Sequence, residues 1–209
     1  MGNKGKTGDY AAVLVILDRS GSMSSIKHDI ESGLRQMAKA QEKLPGKVTF
    51  DLVTFDNDIE YDFSMRSPRD AQFVVNPRGG TALYDAIVKG CQDFAKVLSN
   101  LKEQPKHVQV VVATDGMENA SQFADALLVR DTITYRTSRY GWDFTFLGSD
   151  ESAIAEAAAL GFQGKKSMKF KSSATGVAGM TSSLSDYITA TRSGIDAGYS
   201  DDNRAASAQ

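Results

Sequence analysis

The chain has 209 residues, 41% hydrophobic and 24% charged, a composition suited to one globular domain with its own core. Its 24 Lys and Arg against 26 Asp and Glu leave a formal charge of −2, so no basic excess points to nucleic acid. The single cysteine, Cys91, excludes an internal disulfide, and no apolar run approaches the roughly 20 residues that span a bilayer.

The opening stretch, MGNKGKTGDY, is polar and lacks the apolar centre of a signal peptide. Lys6 stands where a myristoylation signal needs Ser or Thr. A cytoplasmic protein without a membrane partner is expected, with residues 1–9 as a polar leader. Ala11 to Leu17 is a continuous apolar run, the pattern of a strand buried on both faces. From Ser24 to Lys43 the period is helical, with Ile26, Ile30, Leu34 and Met37 recurring, and Pro45-Gly46 ends it. Lys47 to Phe55 and Asp58 to Met65 alternate as strands around the Asp56-Asn57 turn, which predicts an antiparallel hairpin at the sheet edge.

A loop with Pro68, Pro77, Gly79 and Gly80 leads to a second helix, Ala82 to Leu101, where Cys91 reads as a small buried hydrophobe. His107 to Thr114 is a central strand. Gln122 to Tyr140 is helical by period, with Phe123, Leu127, Ile133 or Thr134, and Tyr135 or Thr137 expected to turn inward. Trp142 to Gly148 is a strand with Trp142 in the core, Ser152 to Leu160 a short helix, and Lys166 to Phe170 a short edge strand. A last helix spans about Ser173 to Arg192, with Val177, Met180, Leu184 and Ile188 on one face. Residues 194–209 lack apolar periodicity and are expected to form a flexible tail. Strand and helix alternate apart from the hairpin, so one α/β domain over 10–193 follows. It has a mostly parallel sheet of about six strands, one antiparallel edge strand, and helices on both faces.

Ligands of such sheets bind beyond the carboxyl ends of the strands, and three polar loops fall there. They are Asp18-Arg19-Ser20-Gly21-Ser22, Gly79-Gly80-Thr81 and Thr114-Asp115-Gly116. Residues i, i+2 and i+4 of an extended segment point one way, so Asp18, Ser20 and Ser22 converge. With Thr81 and Asp115 they make an all-oxygen set, which suits Mg²⁺, Mn²⁺ or Ca²⁺. Two close carboxylates repel each other, and a divalent ion removes that conflict. The remaining ligands are neutral hydroxyls, which leaves an ion able to take a carboxylate from outside.

On these residues the chain resembles the von Willebrand factor type A domain with its metal-ion-dependent adhesion site. DRSGSM matches at Asp18, Ser20 and Ser22, GGTALYDAI at Thr81, and ATDGMEN at Asp115, and the likeness runs from about Tyr10 to Arg192. GGTALYDAI and TDGMENAS look most like the compact bacterial or phage-encoded members, which would place a phage-encoded chain in the host cytoplasm. The resemblance implies a Rossmann-like, doubly wound fold. It also implies a non-enzymatic role in which the metal takes an Asp or Glu from a protein partner, and, as in adhesion members, a last helix that shifts with occupancy.

Other readings of the same residues compete. Ser20, Ser22 and Thr81 individually suit turns and helix caps. Gly79-Gly80 could form a phosphate cradle, although no P-loop Lys follows. Asp18 could be phosphorylated by a haloacid-dehalogenase-like mechanism, but Ser20 stands where the second Asp would act. A purely structural metal is a third reading. His28 and His107 lie away from the motif, and no nucleophile, His and acid constellation is evident. Arg19, Met23, Tyr84, Met117, Glu118 and Asn119 flank the loops as supports or partner contacts.

Overall fold

The computed structural model describes residues 10–209, so the expected leader lies outside the described residues. Its axis is β1 (Tyr10–Asp18), in which every residue is buried. The strand has a parallel neighbour on each edge, β2 (Lys47–Phe55) and β4 (His107–Thr114). β3 (Ile59–Arg66) pairs antiparallel with β2, while β5 (Asp143–Gly148) and β6 (Ser167–Lys169) extend the parallel side. The order is β3-β2-β1-β4-β5-β6.

The period of two along β1 divides the core. Ala11, Val13, Val15 and Leu17 join one cluster with α1 (Lys27–Glu42) and α5 (Ala174–Arg192). Ala12, Leu14 and Ile16 join the other with α2 (Leu83–Ser99), α3 (Ala126–Tyr140) and α4 (Glu151–Ala159). Helix α1 after β1 and α3 after β4 therefore leave toward opposite faces, which opens a crevice at the carboxyl ends of β1 and β4. Trp142 and Cys91 are core residues as expected, and burial pushes the Cys91 thiol up to about 12. Among the described residues no helix is long and apolar enough to cross a membrane.

Three departures from the sequence reading have physical causes. First, a 3-10 turn at Gly21–Ser25 precedes α1, so the helix begins at Lys27 rather than Ser24.

Second, α3 begins at Ala126, where Asp125 accepts from the Leu128 N–H as N-cap. It buries only Val129 and Ile133. Phe123, Leu127 and Tyr135, expected inside, are 87%, 65% and 53% exposed. The helix packs along one narrow stripe, and the apolar face expected from the period lies mostly outside.

Third, the expected tail carries α6 (Asp201–Ser207), opened by a Ser200–Asn203 capping box. Arg204 donates to the Ser167 and Gly164 carbonyls, and Ser207 Oγ to Lys169 O at 2.7 Å. Tyr199 is buried, with its hydroxyl 2.8 Å from Thr145 Oγ1. These tertiary bonds hold a segment that has no amphipathic period of its own.

Candidate metal centre

Asp18 ends β1 and pairs in register with Phe55, while Thr114 ends β4 and pairs with Gly148. The expected convergence of the first loop is present. Ser20 N–H donates to Asp18 Oδ1 at 2.6 Å, and Ser20 Oγ lies 3.0 Å from Ser22 Oγ. Ser22 Oγ in turn donates to Asp115 Oδ1 at 2.5 Å, joining residues 93 positions apart. Thr114 Oγ1 donates to Asp18 Oδ2 at 2.6 Å. Thr81 stands near the group across Gly116. A methyl group on Gly116 would lie 3.2 Å from Thr81 Oγ1 and 3.8 Å from Asp18 Oδ2, so glycine permits that approach. Asp18, Ser20 and Thr81 are buried, whereas Ser22 is exposed and Asp115 half-buried.

Arg19 interrupts the motif in sequence but not in space. Alternation along the chain turns it away from the site. Its Nε donates to Asp56 Oδ2 at 3.1 Å and its Nη2 to Glu60 Oε1 at 2.8 Å. Arg78 reaches the same two carboxylates, at 2.5 and 3.0 Å. Backbone bonds complete the frame: Arg78 N–H to Arg19 O, Gly21 N–H to Gly79 O, and Ala82 N–H to Asp56 O. Gly79 has φ +65°, and a Cβ there would fall 2.3 Å from Asn57 Oδ1, so no other residue fits the turn without displacing Asn57.

Both carboxylates of the site sit above their ordinary range. Burial pushes Asp18 up to about 6, with bonds from Thr114 and Ser20 pulling down and the charge of Asp115 adding to the rise. Burial also raises Asp115, against the Ser22 hydrogen bond. Two carboxyls that resist charge, with hydroxyl oxygens aimed between them, fit a hard divalent cation in place of protons. Among the described residues no group of three or more His, Cys, Asp and Glu side chains could hold a metal ion. A cation here would therefore depend on Ser and Thr oxygens as well.

Of the flanking residues, Arg19 and Met23 are buried supports, Glu118 is half-buried, and Met117 and Asn119 are exposed. Sequence reasoning missed Thr114, Asn57, Asp56 and Asp85. Thr114 adjoins the motif and could have been read from the parallel register of β1 and β4. The other three act across 22 to 39 positions of sequence, with no local signal.

Solved structures share the fold. The vWF domain of the type V pili tip protein Mfa5 from Porphyromonas gingivalis aligns with 92% of the chain and 98% of its own, at TM-score 0.61 and 10% identity. The fold is that of the von Willebrand factor type A domain. The pilus adhesin SpaC from Lactobacillus rhamnosus GG aligns with 91% of the chain and 32% of its own, at TM-score 0.66 and 13% identity. Proximal thread matrix protein 1 from the mussel byssus, solved with a zinc-occupied MIDAS motif, aligns with 88% of this type A fold. The match covers 47% of the mussel chain, at TM-score 0.63 and 13% identity. The chain thus spans about half the length of the mussel protein it matches. No protein-family model and no curated protein matches the sequence.

Proposed function

We propose that the chain is a non-enzymatic protein-binding domain that depends on a divalent metal, Mg²⁺ in the first instance or else Mn²⁺ or Ca²⁺. Ser20, Ser22 and Thr81 would hold the ion, with Asp18 and Asp115 binding directly or through water. The observation that carries this reading is the Ser20–Ser22–Asp115 chain of hydrogen bonds meeting Asp18 at the β1/β4 switch point. Once bound, the cation supplies a positive centre with a coordination position that an outside carboxylate can take. A partner's Asp or Glu would fill it. Around the loops, Met117 and Phe123 stand 51% and 87% exposed, the kind of apolar rim that protein partners cover.

The zinc-occupied motif of the mussel protein supports a metal at this place in the fold, and the pilus adhesin and pilus tip protein support a binding role. Phosphoryl transfer is disfavoured. Ser20 stands where that mechanism needs a second Asp as general acid and base.

Calorimetric titration of the metal-stripped chain with Mg²⁺ and Mn²⁺ tests the reading. One saturable site is expected, absent from a folded Ser20→Ala, Ser22→Ala variant. With Mn²⁺ bound, water-proton relaxation should show exchangeable inner-sphere water that acetate displaces. A folded wild type without saturable binding, or a variant that binds equally, removes the metal reading. Binding without acetate-displaceable water leaves the ion a structural role only.

A further inference from the structure

The segment after Asp115 has no regular secondary structure until α3, yet its backbone is held bond by bond to the start of α2. Glu118 accepts from Tyr84 N–H at 3.0 Å through Oε2, and from Ala120 and Ser121 N–H at 2.9 and 2.7 Å through Oε1. Ser121 Oγ donates to Glu118 Oε2 at 2.7 Å while accepting from Asp85 N–H at 3.1 Å. In the other direction, Asp85 accepts from the backbone N–H groups of Gln122, Phe123 and Ala124 at 2.8, 3.1 and 2.7 Å. Asn119 adds a reciprocal pair: its Oδ1 accepts from Thr81 N–H at 2.9 Å, and its own N–H donates to Thr81 O at 3.0 Å.

Two carboxylates thus interlock. One rises from the Asp115 loop to the Tyr84 N–H in the first turn of α2, which has no partner inside the helix. The other descends from the first turn of α2 to a loop whose N–H groups have no ladder. Charge-assisted bonds of this kind are the stronger class. Thr81 lies three residues before Tyr84, and Asp115 three before Glu118, so the same clasp ties down both.

We infer that Glu118 and Asp85 are positioning residues of the metal centre, an interlocked clasp that makes the Thr81 and Asp115 loops one preassembled half of the site. The inference rests on the metal reading above. Neither residue is among those that would hold the ion. They act by fixing where Thr81 Oγ1 stands relative to Asp115, which leaves the first loop to complete the site. Residues that orient metal ligands in this way typically change affinity by about 10- to 100-fold when altered.

The test uses the full chain and the variants Glu118→Ala, Glu118→Gln and Asp85→Asn, with Asp125→Ala as control. Asp125 caps α3 through Leu128 N–H and takes no part in the clasp, so its loss lowers stability without loosening Thr81. Three readouts are needed: Mn²⁺ affinity, amide hydrogen exchange in the metal-free chain, and chemical shifts of the Thr81, Asp115 and Gly116 amides in that same state. Glu118→Ala and Asp85→Asn should weaken Mn²⁺ about tenfold or more. Glu118→Gln should fall between Glu118→Ala and the wild type, because its amide keeps one acceptor. The amides of Tyr84 and residues 120–124 should lose protection, and Asp125→Ala should leave affinity unchanged.

Faster exchange with wild-type affinity would overturn the inference, reducing the clasp to a stabilising contact. So would an equal loss of affinity in Asp125→Ala. If the wild type binds no metal, the metal reading falls and the shifts decide. Unmoved Thr81, Asp115 and Gly116 amides in Glu118→Ala overturn the positioning role, and moved ones sustain it.

Discussion

The loop after β1 and the pair of loops carrying Thr81 and Asp115 bring oxygens to one point by different means. In the first, much of the order is local. Asp18 accepts from Ser20 N–H two residues on, Met23 N–H bonds Ser20 O, and Ser24 Oγ bonds Gly21 O. In the other two, the order is tertiary, set by bonds between residues 34 to 39 positions apart. A local turn can be drawn toward a ligand by rearranging a few dihedral angles. Loops interlocked at a distance move together or not at all. Their rigidity comes from side chains that need not touch what is bound.

The largest effect that would sharpen this contrast is on metal binding. Ser22→Ala removes an exposed hydroxyl from the local loop, so Mn²⁺ affinity should collapse while stability stays within about 1 kcal/mol of wild type. Calorimetry beside denaturant unfolding would show this, and a large loss of stability would mean that the first loop is not self-sufficient.

Arg19→Ala probes a long-range side-chain anchor of that loop. Removing one partner of a buried ion pair costs about 3–5 kcal/mol. Asp56 keeps Arg78, so the low end is expected in urea unfolding. A change under about 1 kcal/mol would show the anchor to be dispensable.

Asn119→Ala leaves the Thr81 N–H without its acceptor, at about 1–2 kcal/mol, and should weaken metal binding alongside. Unchanged metal affinity would break the claim that the paired loops depend on each other.

The smallest effect concerns Asp51, in the hairpin that carries the Arg19 anchor. Burial raises its carboxyl above the usual 3.8, only partly offset by bonds from Ser64 and Tyr61. A raised carboxyl favours the protonated fold. This contribution is therefore complete below the unfolded value near 3.8 and declines as pH rises through the folded one. Asp51→Asn should unfold later than wild type at pH 7, by about 1 kcal/mol, and should lose that advantage at pH 3. Parallel stability curves at the two pH values would contradict it.

The same contrast explains what could be read from the chain. Asp18, Ser20 and Ser22 were legible because an alternating run at a strand end fixes their directions. Thr81 and Asp115 were legible because their loops end at the same sheet edge. The mostly parallel sheet with one antiparallel edge strand followed from apolar runs and the alternation of elements. Asp85 and Glu118 were not legible in these roles, since an acid near a helix start is ordinary and its acceptors lie in another loop. Nor was α6, whose seven residues are held by Arg204, Ser207 and the Ser200 cap rather than by an apolar stripe. Helix α3 misled for the opposite reason: Leu127 and Tyr135 were placed inside on period alone, and both stay more than half exposed.

That short terminal helix also bears on solubility. Strand β6 lies at the margin of the sheet, and free carbonyls along such a margin invite a strand from another molecule. Arg204 and Ser207 already occupy the Ser167 and Lys169 carbonyls, while Gly179 admits the Ala206 backbone so closely that a Cβ would fall 2.2 Å from it. A chain cut before Ser200, or carrying a bulkier residue at 179, would uncover the margin and gain a route to self-association, whatever the state of the candidate metal centre.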